Sequence, residues 1–253
     1  MTLLLTGDPP PFELINSAGG APLLLVCDHA SRAFPARLGQ LGLADEVLDR
    51  HIAYDIGAAE VTRRLAALIN APALLAGYSR LVIDLNRGAE RPDLIPEASD
   101  GVIIPGNLNL EETARAERLS ALYRPWHHTV TAELQRLTER HGKPPVLIGI
   151  HSFTPVMNGQ ERPWHIGVLW DGDCALARPL MATLANGGEL CVGDNEPYTA
   201  RNPSGGTLET HALDTGLFGV SIEIRQDLIS DIDGCAAWAV LVANAIEFGV
   251  THV

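Results

Sequence analysis

The chain has 253 residues, 46% of them hydrophobic, with 31 acidic against 18 basic side chains and a formal net charge of -13. Length and core content fit one globular domain over residues 1–253. The acidic balance argues against a nucleic-acid or anionic-membrane surface, which needs clustered Lys and Arg. It leaves room for a small anionic substrate held by one or two local arginines.

The apolar run at 22–27, "PLLLVC", predicts a strand, and the polar pair Asp28-His29 follows it. Helical spacing of Ile56, Ala59, Leu65, Leu68 and Ile69 predicts a helix over 55–70, with Asp55 suited to its N-cap. "SRLVIDLNR" at 79–87 reads as the next strand, carrying Arg80, Asp84, Asn86 and Arg87. Residues 111–141 form a long helical pattern that Pro125 should kink or divide. Strands are expected at 145–150, ending on His151-Ser152, and at 164–170. A helix over 173–188 ends at a glycine pair. "GVSIEI" at 219–224 predicts a strand bearing Glu223, and a C-terminal helix starts near 234. That last apolar stretch, interrupted by Asn244 and Glu247, reads as too short to span a membrane and better suited to packing.

Alternating strands and helices, with apolar runs too continuous for a one-sided sheet, imply a three-layer α/β fold. Its sheet is mixed but mainly parallel and covered by helices on both faces. The stretches at 88–107 and 194–216 read as long functional loops within that domain. Cys27, Cys174, Cys191 and Cys235 are scattered without a C-x-x-C pair, which fits a reducing, cytoplasmic setting and thiols that pack as small hydrophobes. The N-terminus lacks the basic region of a signal peptide.

In open α/β sheets, ligands bind at the carboxyl ends of strands. Four expected strands end in ionisable or metal-binding groups: Asp28-His29, Asp84 with Asn86-Arg87, His151-Ser152, and Glu223 with Arg225. His151 alone reads more readily as a satisfied core histidine. Two histidines with a carboxylate and a glutamate suit a catalytic zinc site that keeps one position open for water. Manganese, cobalt or iron fit the same donors.

"DHAS", "YSRLVIDLNR", "IHS", "GGTLETH" and "IEIRQ", in this order over roughly 22–230, resemble the N-formylglutamate amidohydrolase family. The resemblance implies a zinc-exopeptidase-like fold and cleavage of a linear amide in a small anionic N-acyl amino acid, with N-formyl-L-glutamate giving formate and glutamate. By comparison with metallocarboxypeptidases it implies His29 and His151 as metal ligands and Glu223 as general base. It also places Asn86-Arg87, with Arg80 beside them, at the substrate carboxylate. The chain departs from the carboxypeptidase pattern at Arg32, where an acidic ligand is expected. Asp55 is the carboxylate chosen instead, with Asp49 the alternative and His51 a further ligand or supporting group. Asp55 reads equally well as a plain N-cap. His211, in a long glycine-containing loop, is expected to polarise the scissile carbonyl or contact substrate, and His127 and His128 to support the site from a helix.

Overall fold

The computed structural model describes residues 2–157, 159–173, 175–201 and 205–253. Seven strands form one sheet: β1 (Phe12–Ile15), β2 (Leu23–Cys27), β3 (Ala73–Ala76), β4 (Val146–Phe153), β5 (Ile166–Leu169), β6 (Val192–Asp194) and β7 (Gly219–Arg225). Their spatial order is β1-β3-β2-β4-β7-β5-β6. β1 runs antiparallel to β3, and β5 antiparallel to β7; the other neighbours are parallel. The expected mixed, mainly parallel sheet is therefore present.

β2 shows why its sequence alternates nowhere. Leu23, Leu25 and Cys27 enter one apolar cluster, while Leu24 and Val26 enter the other. The first cluster is covered by α1 (Ala58–Leu68), α4 (Ala177–Ala185) and α6 (Ile232–Val250), through residues such as Val61, Leu65, Leu180 and Val242. The second is covered by α3 (Arg124–His141) and the short α5 (Thr207–His211), through Trp126, Val130, Leu134 and Leu208. A strand covered on both faces has no polar side, hence the unbroken apolar run.

Pro125 divides the long helical pattern as expected. α2 (Glu112–Arg118) passes through a π-helical turn at Leu119–Tyr123 into α3, where Pro125 stands in the first turn. The chain is already helical at Tyr123 and Arg124, so the missing N–H of Pro125 interrupts the ladder, and the π-helical turn just before it accommodates that break. α6 reaches 19 residues and is long and apolar enough to cross a membrane by length and composition, contrary to the expectation that it is too short. One side, including Ala239, Val242 and Ile246, is buried against the sheet, while Ile232, Val240 and Phe248 are exposed. Cys27 and Cys235 pack as small buried side chains, Cys191 is exposed against expectation, and Cys174 lies outside the described residues.

The segment 79–87 is not a strand. Its polar side chains capture backbone groups that a ladder would use, as Ser and Asp do in turns. The Ser79 hydroxyl donates to the Ala53 carbonyl at 2.7 Å and accepts from Leu81 N at 3.2 Å. Asp84 N donates to Leu94 O at 2.8 Å, and Asn86 N to the Asp84 carboxylate at 2.9 Å. The apolar residues Leu81, Val82, Ile83 and Leu85 are buried in the second cluster rather than in a sheet. Carbonyls of this loop are satisfied by side chains: Asn107 donates to Leu81 O at 2.9 Å, and the fully buried Arg118 to Val82 O at 2.8 Å. The neighbouring strand is β3, just upstream.

Candidate active site

β2, β4 and β7 are parallel neighbours, so their carboxyl ends lie side by side. His151 and Glu223 are register partners on β4 and β7, and both are buried. Side chains of paired residues leave a sheet on the same face. Ile150, Ile222 and Ile224 enter the first cluster, so His151 and Glu223 point to the opposite side. β4 continues through His151 to Phe153 rather than stopping at 150. His29 follows β2 directly, and Asp55 is tied to it by a backbone hydrogen bond from Asp55 N to His29 O at 2.9 Å.

The two histidines are arranged alike. His29 Nδ1 and His151 Nδ1 lie 3.3 and 3.0 Å from the same Asp55 oxygen, Oδ2. Their opposite nitrogens meet two further carboxylates: His29 Nε2 lies 2.8 Å from Asp84 Oδ1, and His151 Nε2 lies 3.4 Å from Asp28 Oδ2. One donor atom each from His29, Asp55 and His151 falls within 4.8 Å of the others. Metal-binding histidines characteristically give the second ring nitrogen to a carboxylate, which fixes tautomer and orientation. The donor set and its anchoring therefore fit a divalent cation. Asp28 is held by the Thr207 hydroxyl, which in turn accepts from Trp126 Nε1 at 3.2 Å.

Asp55, not Asp49, is the carboxylate the fold brings in. Asp49 is exposed and paired with Arg32. Asp55 makes no cap to α1, whose N-cap is Gly57 without a side-chain bond. His51 lines the cleft with its Nδ1 3.7 Å from Asp55 Oδ1, outside hydrogen-bond distance. Burial pushes its pKa down to about 4.

Burial disfavours a charge on both site histidines, but the surrounding carboxylates prevail. Hydrogen bonds to Asp28 and Asp55 hold His151 well above the ordinary value. His29 is raised by Asp84 and Asp55 against burial and Arg80. Raised values mean that protons would compete with a metal for both rings up to a higher pH than for a free imidazole, and binding would release them. Apparent zinc affinity should rise with pH through and beyond the usual histidine range. Competition titrations at about pH 6, 7 and 8 check this, and an affinity unchanged across them would remove the histidines from the ligand set.

A cleft of about 930 Å³ opens over these residues and is also lined by Glu223, Arg80, Asn86 and Arg87. Burial raises the Glu223 pKa to about 8 against the pull of His151, and its Oε2 has no hydrogen-bond partner among the described residues. Arg225 does not pair with it but makes a two-point contact with Asp227 at 2.8 and 3.1 Å. Arg80 bridges the centre's carboxylates, with Nη1 3.1 Å from Asp55 and Nη2 3.6 Å from Asp84. Asn86 Oδ1 accepts from Thr207 N at 3.0 Å. This close approach needs Gly206, where a Cβ would stand 2.1 Å from that oxygen. Among the described residues Arg87 forms an ion pair at the rim with Asp93, at 3.5 Å from its Nε.

His211 is not brought to this cleft. It ends α5 against α3, where His127 Nδ1 lies 2.8 Å from its Nε2 and Thr131 Oγ1 3.3 Å from its Nδ1. With His127 and His128 it lines a separate cavity of about 300 Å³. Both ring nitrogens of His211 are engaged there, so the expected contact with a scissile carbonyl is not made. The anchoring of His29 and His151 by Asp84 and Asp28 lay beyond a reading of strand ends. Its only trace in sequence is a carboxylate beside each apolar run.

A mainly parallel α/β sheet thus carries at its carboxyl edge a His/Asp/His cluster that could hold a metal ion, beside a buried glutamate. Residues 21–230 match the model of the N-formylglutamate amidohydrolase family. The chain belongs to that family, and so to the hydrolases acting on amides. It is similar to the structure of a gene product from Agrobacterium tumefaciens, with 38% identity over 98% of each chain and a TM-score of 0.93. It also shares the fold of the N-formylglutamate amidohydrolase from Ralstonia eutropha JMP134, with 19% identity, 96% of this chain and 98% of that one covered, and a TM-score of 0.75. No curated protein matches it.

Proposed function

We propose that this protein cleaves the amide of an N-formyl or N-acyl amino acid in a reaction that depends on a divalent metal, with N-formyl-L-glutamate the first substrate and zinc the first metal to test. The observation that carries the reading is the paired histidines. Both aim Nδ1 at Asp55 and give Nε2 to a second carboxylate, beside a glutamate with an unpartnered oxygen.

A metal held by His29, Asp55 and His151 supplies Lewis acidity and lowers the pKa of water to about 7. Glu223 takes the water's proton and returns it to the leaving amine. Asp28 and Asp84 keep the two imidazoles in one tautomer and orientation. Arg87 receives a substrate carboxylate through its guanidinium fork, with Asn86 fixing the adjoining loop and Arg80 steadying the centre's acids.

The test is formate release from N-formyl-L-glutamate by purified protein, before chelation, after it, and after metal is restored. Activity that disappears and returns supports the reading. Chelator-insensitive release overturns the metal's role. Release only from other N-acyl amino acids moves the substrate while keeping the reaction. Arg87→Lys is expected to raise KM for acidic substrates by on the order of 10-fold, about 1.4 kcal/mol, because a point charge replaces a fork. Metal content should stay the same. Equal hydrolysis by the parent of a substrate whose carboxylate is converted to an amide would remove carboxylate recognition from Arg87.

A further inference from the structure

His211 is turned away from the cleft and Arg80 is engaged by Asp55 and Asp84, which leaves room for a further donor from the chain to the amide oxygen. The segment after β6 supplies one. Gly167 on β5 is the register partner of Glu223 across the antiparallel β5/β7 pair, so the two share a face. A Cβ at Gly167 would stand 1.9 Å from the Glu196 carbonyl oxygen and 3.5 Å from Pro197 Cδ. The missing side chain lets the chain lie directly on the sheet beside Glu223. The next residue, Tyr198, lines the cleft together with His151 and Glu223.

Arg162 fixes the phenol. Its Nη1 donates to the Tyr198 hydroxyl at 3.1 Å, and its guanidinium stands 4.9 Å from the centre of the Tyr198 ring and 5.9 Å from that of Phe153. Among the described residues Arg162 meets Thr154, Met157 and these aromatic rings, but no carboxylate. The hydroxyl oxygen therefore accepts, and its single hydrogen has no acceptor among the described residues. Burial, then the charge of Glu223, raise the Tyr198 pKa, which keeps that hydrogen in place at neutral pH.

We propose that Tyr198 is a catalytic hydrogen-bond donor to the oxygen of the scissile amide, with Arg162 as its positioning residue. The proposal rests on the amide-hydrolysis reading above. As water's oxygen bonds to the carbonyl carbon, the π pair moves onto the carbonyl oxygen and Tyr198 O–H donates to the developing anion without transferring its proton. Glu223 accepts one proton from the water and passes it to the nitrogen. The C–N bond then breaks with its pair going to nitrogen, the carbonyl re-forms, and the products are a carboxylic acid and an amine; the acid then loses its remaining proton to solvent as a carboxylate. A donor aimed at charge that appears only in the transition state acts on kcat rather than on substrate binding.

The experiment compares parent, Tyr198→Phe, Arg162→Met and the double variant as metal-loaded full-length protein. Two readouts are used: turnover of N-formyl-L-glutamate, and calorimetric binding of a phosphonate that mimics the tetrahedral form of an N-acylglutamate, with glutamate as control. Tyr198→Phe should lose roughly 10²-fold in kcat with KM and metal content nearly unchanged, the scale of one lost oxyanion donor. Phosphonate affinity should fall while glutamate affinity holds. Arg162→Met should lose less and add nothing in the Tyr198→Phe background, which a merely structural role would not produce. A parent that binds the phosphonate through Tyr198 but releases no formate supports the donor and rejects only the formyl substrate. Equal phosphonate affinity in parent and Tyr198→Phe, or a loss confined to KM and glutamate binding, overturns the proposal. So does a metal-loaded parent that binds no phosphonate.

Discussion

Glu223→Gln should retain the metal and bind substrate with KM near that of the parent, while kcat falls by roughly 10²–10⁴-fold, the usual contribution of a general acid–base group. The substitution keeps volume and shape and removes only the ability to take a proton. Glu223 is suited to this test because its neighbours leave it free: Arg225 is occupied by Asp227, and Oε2 has no partner among the described residues. Its raised pKa, about 8, comes first from burial, and a cation beside it would draw that value back toward neutrality. Activity within a few-fold of the parent eliminates Glu223 as the base. Loss of metal makes it a ligand instead.

His29→Ala and His151→Ala are each expected to abolish tight metal binding, by more than the 10–100-fold typical of changes to the groups that merely orient ligands. Asp84→Asn provides that lower benchmark, because it weakens the hold on His29 Nε2 without removing a donor. Metal analysis after dialysis, with circular dichroism to confirm the fold, reads all three. Removing His151 leaves Asp28 with the Thr207 hydroxyl, so the variant should fold but melt at lower temperature. Unchanged metal content in His151→Ala would return this residue to the core-histidine reading.

The sequence announced this centre wherever a polar residue interrupts a doubly covered strand. Asp28-His29 after "LLLVC", His151 within "VLIGIHSF" and Glu223 within "GVSIEIR" are each conspicuous because their neighbours belong to an apolar core. β3 escaped because "ALLA" is four residues without a β-branched or aromatic side chain. β1 and β6, of four and three residues, are equally short. The opposite error arose at 79–87, where apolar content resembles a strand but Ser79, Asp84 and Asn86 bend the backbone into turns. His211 was misplaced because its position depends on α5 docking against α3, and nothing local records that. Asp28 illustrates the same point: it adjoins His29 in the chain but meets the ring of His151.

The groups around Asp55 come from far apart. His29 lies 26 positions before Asp55 and His151 lies 96 after it, while Asp84 lies 55 beyond His29. An unfolded chain holds no such cluster, so a divalent ion discriminates sharply between the native protein and the denatured ensemble. By mass action, each tenfold excess of free ion over its dissociation constant adds about 1.4 kcal/mol to the unfolding free energy. If a divalent ion binds at this cluster as proposed, the melting temperature should rise with the free concentration of that ion.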